Sequence, residues 1–150
     1  MLDHTTATLE ATTVEALEDL LKACRAAKET YDIAIRRIER RHDEAAIALR
    51  VLEQDHAENV HKVQKMLLSL GGDPVQAGAG RMEKAVEGVA SLLGDGPALR
   101  PLMEEERRCL AAARRAETAL EEGSKELLEI HMIPRLEKHI ELLESLSERA

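Results

Sequence analysis

Glycine and proline are distributed unevenly along this chain of 150 residues. Neither occurs among the first 70 residues, ten occur between Gly71 and Pro101, and only Gly123 and Pro134 follow. Because these residues interrupt helices most strongly, the pattern predicts a long helical half, a broken middle and a second helical half. Ala, Glu, Leu, Arg and Lys supply 87 of the 150 residues, and Tyr31 is the only aromatic residue. This composition favours long helices and excludes a β-sandwich, a β-barrel and a Rossmann domain.

The first helical half contains two stripes of apolar residues at the 3-then-4 spacing of an amphipathic helix. The first helix is expected to begin at Thr12 or Thr13, because Thr12 and Glu15 form a capping box. A turn is predicted near residues 41–43, with Asp43 as the N-cap of the second helix. Since the two stripes are nearly in phase, a single continuous helix over residues 13–70 is the alternative.

Turn signals also bound the remaining helices. The glycines after Leu70 end the second helix, because glycine at this position satisfies the last carbonyls. The third helix is expected to start around Pro97, and the fourth to follow Gly123 with Ser124 as its N-cap. Pro134 lies inside the fourth stripe and is expected to kink that helix or delay its regular start.

Four helical stripes, two short turns and one long connection predict an all-α, up-down-up-down four-helix bundle. The apolar segment 82–93 predicts a short extra helix in the long connection between helices 2 and 3. The chain is therefore divided into a flexible N-terminal tail, residues 1–12, and one bundle domain, residues 13–150. The apolar face of residues 85–93, or a face of the first helix pair, is expected to form a homodimer, because exposed apolar patches often mark interfaces.

Charge and apolar run length limit the partners. Acidic residues exceed basic ones, and the formal net charge is −8, so the basic face of a nucleic-acid-binding protein is not expected. No apolar run approaches about 18 residues and the N-terminus lacks a signal-peptide pattern, so we expect no membrane partner and a cytoplasmic location. Cys24 and Cys109 are too few for a disulfide framework and are expected as reduced core residues.

A small set of polar residues lies on the apolar stripes instead of the charged faces. If the turns near residues 42 and 123 lie at the same end of the bundle, these residues share one level, roughly 21–26 Å from that end. The sequence therefore predicts a polar layer across the middle of the bundle. The residues on the stripes are Tyr31, His56, Asn59, Glu106 and His139, with Lys28 and Asp55 at the edge.

Short motifs carry a resemblance to a known family. They are Leu20-Leu21-x-x-Cys24-Arg25, Leu70-Gly71-Gly72-Asp73-Pro74, Leu102-x-x-Glu105-Glu106-Arg107, and His139 on the fourth helix. With them, residues 14–147 resemble the ferritin-like superfamily, and more narrowly a bacterial subfamily of four-helix-bundle proteins. The resemblance implies a di-metal site in the bundle centre, to which two helices each supply a Glu and the other two each supply a Glu-x-x-His.

The first two helices depart from that ligand pattern. Lys28 stands where the resemblance places a first-helix ligand, and Glu29 follows it. One hypothesis is that the Lys28 ammonium replaces the metal and pairs with Glu106. The second helix contains Glu58 and His61 at Glu-x-x-His spacing, but both lie off the apolar stripe and are expected to face solvent.

The other two helices also depart from the pattern. Cys109 stands at the third-helix ligand position with Glu106 one turn earlier, and Leu136 stands three residues before His139. If a metal binds, an imidazole and carboxylate set suits iron, manganese or zinc. The candidate metal ligands are Glu29, Asp55, His56, Glu106 and His139.

Three interpretations of the polar layer stay open: a structural network of hydrogen bonds and ion pairs, a metal site, or solvent-exposed side chains. No nucleophilic triad, phosphate-binding loop, C-x-x-C or H-E-x-x-H motif is present, so no catalytic residue is assigned and an enzyme is not favoured. The sequence favours a structural or interaction-based bundle without a cofactor. The alternative is a non-haem di-metal-type protein with oxidase or metal-handling activity.

Overall fold

The computed structural model describes residues 4–38, 43–74 and 99–149. Within them the chain is all-helical and contains no strand, as the composition predicts. The helices are α1 (His4–Ile38), α2 (Asp43–Ser69) and α3 (Arg100–Ala119). They are followed by a composite fourth helix made of α4 (Glu122–Glu126), a π-helical stretch (Leu127–Met132) and α5 (Ile133–Arg149). Residues 13–70 therefore form two helices instead of one.

Two clusters of buried apolar side chains establish the helix directions. The first cluster combines the N-terminal half of α1 with the C-terminal ends of α2 and α3 and the start of the fourth helix. Its members include Leu17, Leu20, Val63, Leu67, Ala113, Ala116, Leu128 and Met132. The second cluster combines the C-terminal part of α1 with the N-terminal ends of α2 and α3 and the end of α5. Its members include Tyr31, Ile35, Leu49, Leu52, Leu99, Leu102 and Leu143.

These clusters make α2 and α3 both antiparallel to α1, and therefore parallel to one another. The predicted alternating up-down-up-down order is wrong in this respect, and the turns near residues 42 and 123 belong to opposite ends of the bundle. The prediction assumed that the long connection returns the chain to the end it left. The 24 residues 75–98 could span at most about 80 Å when extended, which is ample for reaching the other end.

The end of α2 follows the prediction. Gly71 has a φ of +81°, the left-handed conformation that glycine adopts most readily. The Gly72 N–H donates to the Leu67 carbonyl at 2.8 Å and the Gly71 N–H to the Leu68 carbonyl at 3.2 Å. This pair of bonds is the Schellman motif, which satisfies the last carbonyls of a helix.

Two helix starts differ from the prediction. α1 is already helical at His4, and residues 4–11 contain no glycine or proline that would interrupt it. The Thr13 hydroxyl donates to the Ala119 carbonyl at 2.8 Å. Thr13 thereby caps the end of α3 instead of the start of α1. The fourth helix begins at Glu122, two residues before the expected cap Ser124. The division into a tail and a bundle domain at residue 12 stays a prediction.

The fourth helix starts its regular part late, as expected from Pro134. The Ile133 N–H donates to the Leu128 carbonyl, a bond to the fifth residue back that defines π-helical geometry. Because proline has no N–H and its ring clashes with the preceding turn, the chain takes a wider turn just before it. Regular α-helix then runs from Ile133 to Arg149 and carries His139 on its buried face.

Several predictions lie outside the described residues. They are the extra helix at residues 82–93, the proposed dimer segment at 85–93, and the turn near 41–43 apart from Asp43, which begins α2. Across the parts of the chain that the structure describes, no helix combines the length and the apolar character that crossing a membrane requires.

Candidate functional site

Each of the four helices contributes one polar side chain to a cluster between the two apolar clusters. Tyr31 of α1, His56 of α2 and Glu106 of α3 are fully buried, and His139 of α5 is 3% exposed. Every one of them was placed on an apolar stripe by the sequence, and the structure brings them together. We call these four residues the central cluster.

Glu106 lies at the middle of the central cluster. Its Oε1 atom accepts a hydrogen bond from the Tyr31 hydroxyl at 2.5 Å and lies 2.7 Å from His56 Nε2. The same oxygen lies 3.1 Å from His139 Nδ1. Three side chains from three other helices therefore converge on a single carboxylate oxygen.

The second nitrogen of His139 is also engaged. His139 Nε2 lies 2.8 Å from Asp55 Oδ2, and Asp55 is partly buried with its side chain 24% exposed. A carboxylate on one imidazole nitrogen fixes the tautomer and the orientation of the ring, as outer partners of metal-bound histidines do. With its proton on Nε2, donating to Asp55, the ring would leave Nδ1 free to bind a cation placed beside Glu106 Oε1.

Some buried polar atoms of the cluster have no hydrogen-bond partner among the described residues. They are Glu106 Oε2, His56 Nδ1 and, one turn along α2, Asn59 Nδ2. A buried carboxylate oxygen without a donor costs free energy, and here its twin oxygen has three neighbours. Within the described residues, all hydrogen-bond partners of Glu106 thus lie at Oε1 and none lies at Oε2.

Hydrogen bonds and neighbouring charges together outweigh burial in setting the pKa values of Glu106 and His56. Burial raises the pKa of Glu106, but the hydrogen bond to His139 and the charge of His56 outweigh it and lower that pKa to about 2. Burial lowers the pKa of His56, yet contact with Cys24 and with the Glu106 carboxylate raises it overall to about 10. Burial, together with the Glu106 charge, raises the pKa of Tyr31 far above its usual value. Without a metal, the cluster therefore holds an ionised glutamate against a charged imidazole.

Two cysteines also lie close to His56. Cys24 and Cys109 are free and fully buried, as expected, and their sulfurs lie within 4.8 Å of one another and of a ring nitrogen of His56. The sequence interpretation treated both as apolar core residues and missed this contact. A signal was present, because Cys24 lies seven residues before Tyr31 and Cys109 three after Glu106, on the same helix faces.

One set of the predicted ligands has the spacing of a metal site. Ligand atoms of His56, Glu106 and His139 all lie within 4.8 Å of one another. Adjacent ligands on an octahedral ion with bonds of roughly 2.1 Å are about 3.0 Å apart, which matches the 2.7 Å and 3.1 Å separations from Glu106 Oε1. Two histidines and one carboxylate are the facial set of non-haem Fe(II) sites.

Other candidates lie away from the cluster. Glu29 is half-buried on α1 and belongs to neither of the two candidate metal-binding groups among the described residues. Lys28 is exposed, so the hypothesis of a buried Lys28–Glu106 ion pair is wrong. The Lys28 side chain lies at the edge of the apolar stripe, where its long stem lets the ammonium stay in water, and Tyr31, one turn later, takes the place beside Glu106.

The literal Glu-x-x-His of α2 faces outward, as predicted. Glu58 and His61 are exposed, and Glu58 pairs with Arg135 of α5 at 2.8 Å. Arg135 also lies 3.6 Å from Asp55. A surface groove of about 520 Å³ between α2 and α5 includes Asp55, Arg135 and His139 in its lining. Asp55 lines this groove, is partly exposed and contacts His139. The central cluster therefore approaches solvent at Asp55.

No family model, curated protein or solved structure matches the chain. The functional argument therefore depends on the geometry of the cluster.

Proposed function

We propose that the protein is a ferritin-like helical bundle that binds one divalent transition-metal ion, iron, manganese or zinc, at His56, Glu106 and His139. The observation that carries the proposal is the convergence of His56 Nε2 and His139 Nδ1 on one oxygen of Glu106, at 2.7 Å and 3.1 Å. Protons hold these three groups together in the free protein. A cation between them satisfies the same lone pairs and also offers a partner to Glu106 Oε2.

The helix order supports the ferritin-like part of the proposal. Ferritin-like bundles contain one long crossover connection and place metal ligands on facing helices. Here α2 and α3 run in the same direction and residues 75–98 connect them. Within the described residues, Glu106 is the only carboxylate in the two candidate ligand groups. We therefore propose one metal ion at this position instead of the pair that the family pattern implies.

Each residue has a distinct part in this proposal. His56, Glu106 and His139 supply the ligand atoms and leave positions open for water or a small molecule. Asp55 holds His139 in the tautomer that binds metal through Nδ1. The Tyr31 hydroxyl donates to Glu106 and orients the carboxylate. A bound iron or manganese ion would supply redox chemistry, which is the basis of an oxidase or metal-handling role.

A structural role for the cluster is the second candidate. With a charged His56 against an ionised Glu106, and with His139 between Glu106 and Asp55, the layer forms a closed network of hydrogen bonds and ion pairs. The raised pKa of His56 and the lowered pKa of Glu106 favour this state. In that case the layer specifies how the four helices align, and the protein acts as a structural or interaction module.

Metal analysis distinguishes these candidates. The protein is purified without chelator, loaded with Fe²⁺, Mn²⁺ or Zn²⁺ under anaerobic conditions and desalted, and its metal content is measured. Of the metal retained, we expect one equivalent to require Glu106 and His139. Glu106→Gln and His139→Gln should each weaken its affinity by more than about 100-fold, because loss of outer partners alone costs about 10–100-fold.

The matched control is His131→Gln, which changes an exposed histidine on the same composite helix. It should bind metal as the wild type does. Metal retention unaffected by Glu106→Gln and His139→Gln, or no retention of any of the three ions, would select the structural network instead.

A further inference from the structure

We propose a second metal site, built from Cys24, Cys109 and His56, that takes a thiophilic divalent cation of the zinc type. The two thiols come from α1 and α3 and the imidazole from α2, so three helices meet at this point. All three side chains are fully buried. This site goes beyond the proposed function, because it uses sulfur ligands and only His56 is common to both.

The distances suit a tetrahedral ion. The two sulfurs and one ring nitrogen of His56 lie within 4.8 Å of one another. Around zinc, with Zn–S bonds of about 2.3 Å, two sulfurs lie about 3.8 Å apart. Ligand atoms that lie within 4.8 Å of one another therefore need to close by at most about 1 Å. The fourth position stays open, as in zinc sites with three protein ligands.

A second observation points to a ligand in this place. His56 Nε2 faces Glu106, while His56 Nδ1 is buried and has no hydrogen-bond partner among the described residues. An imidazole nitrogen in that situation normally donates to a carbonyl or a carboxylate, or binds a metal. Two sulfurs lie within 4.8 Å of a ring nitrogen of His56, and sulfurs are soft ligands that select zinc-like ions over hard cations.

Charge balance also favours a divalent ion. Zinc binding displaces the protons of the Cys24 and Cys109 thiols, and two thiolates with one Zn²⁺ and a neutral imidazole leave no net charge in the protein interior. In the free protein the Cys109 thiol donates to the Ala23 carbonyl at 3.2 Å. That bond is given up when the proton leaves, and the zinc–sulfur bond replaces it.

His56 thus lies close to two groups of ligands of different character. The carboxylate and imidazole of Glu106 and His139 lie towards one side, and the two sulfurs lie within reach of the ring. The two sites can be separated by mutation, because Cys24 and Cys109 belong to one and Glu106 and His139 to the other.

The test uses Co²⁺ as a coloured substitute for zinc. The full chain is unfolded and refolded under reducing, anaerobic conditions with Co²⁺, because the buried thiols bind most readily while the helices assemble. We expect a thiolate-to-cobalt charge-transfer absorption in the wild type. It should disappear when one equivalent of Zn²⁺ displaces the cobalt.

Variants assign the signal to its ligands. Cys24→Ser and Cys109→Ser should each abolish the charge-transfer absorption, and Cys24→Ala and Cys109→Ala provide the same test should a buried serine disturb folding. His139→Gln should retain the absorption while losing the metal of the central cluster. His56→Gln should remove both, and His61→Gln, an exposed histidine of α2, should remove neither.

The outcomes of this experiment are separate from those of the proposed function. The thiolate signal in wild type and in His139→Gln supports the sulfur site even when the central cluster binds nothing. Cobalt binding without charge-transfer absorption, or zinc stoichiometry that is equal in the wild type and the Cys24→Ser/Cys109→Ser double variant, overturns it. Formation of a Cys24–Cys109 disulfide that cannot be suppressed by reductant overturns it as well.

Discussion

At the scale of single residues, Tyr31 is the group that ties the first helix to the bundle centre. Its hydroxyl donates to the ionised Glu106 carboxylate at 2.5 Å, and its ring lies 5.4 Å from the ring of His56. Hydrogen bonds to buried charged groups contribute more to stability than neutral ones. Tyr31 therefore packs in the core with its ring and stabilises the negative charge of Glu106 with its hydroxyl.

Removal of the Tyr31 hydroxyl should destabilise the fold. We expect Tyr31→Phe to lower the free energy of unfolding by about 1.5–3 kcal/mol, because it takes a donor from a buried carboxylate while the ring stays in place. Urea denaturation followed by circular dichroism measures this. Lys28→Met, one turn earlier on the exposed face of the same helix, is the control and should change stability by less than about 0.5 kcal/mol. Equal effects in both variants would contradict this account of Glu106.

Glu106 should also control acid stability. Its pKa is about 2 in the folded protein against 4.5 for the free side chain, so its contribution is present above pH 4.5 and is lost as the pH falls towards 2. We expect the free energy of unfolding of the wild type to drop between about pH 5 and pH 2 by about 3 kcal/mol more than that of Glu106→Gln. Parallel pH profiles for the two proteins would show that the ionised carboxylate does not stabilise the fold.

Residue type and spacing were enough to identify most of the central cluster. Tyr31, His56, Glu106 and His139 lie on apolar stripes, and a polar residue on such a stripe is buried whatever the order of the helices. Lys28 could not be placed in this way, since a long side chain at the edge of a stripe reaches solvent. Cys24 and Cys109 were correctly predicted in the core. Whether a buried cysteine only packs or also binds a ligand depends on the residues that face it from other helices, and these could not be predicted.

At the scale of helices, two glycines have opposite backbone roles: Gly71 ends a helix and Gly123 lies inside one. Gly71 has a φ of +81°, whereas Gly123 lies within α4, and a Cβ atom added at either would meet no atom within 4 Å. The effect of an alanine at these two positions therefore comes from the backbone alone.

We expect Gly71→Ala to destabilise the protein by about 1 kcal/mol, since alanine is strained at positive φ. Gly123→Ala should stabilise it by about 0.5–1 kcal/mol, because alanine favours helix and loses less backbone entropy on folding. Thermal unfolding of both variants beside the wild type measures the difference. A loss of stability in Gly123→Ala would show that residue 123 is not helical in solution.

Helix existence and type were predictable at this scale, while helix ends were less so. The end of α2 was correct because a Gly-Gly pair imposes a specific cap. The predicted start of α1 was wrong, because the capping motif of Thr12 and Glu15 lies in a stretch that can also continue as helix. The Thr13 hydroxyl donates to a carbonyl of α3 instead. Such a tertiary partner is not visible in the local sequence.

At the scale of the whole molecule, the four long helices that the structure describes followed from the sequence, but their directions did not. Stripe length and turn signals fix how many amphipathic helices there are, whereas residues 75–98 are long enough to connect either end of the bundle. The level of the polar layer was nevertheless predicted well. It lies at a middle level of the bundle, between the two apolar clusters, and a mid-height position is the same distance from both ends.

The positions of the helices along the chain have a consequence for the order of folding. α1 with α2, and α3 with the fourth helix, form two hairpins of sequence neighbours. In contrast, the bonds from Tyr31 to Glu106 and from His139 to Asp55 join residues 75 and 84 positions apart. Contacts between distant residues must overcome loop-closure entropy and are slow to form. We therefore expect the two hairpins to form first and the central cluster to form only after they dock.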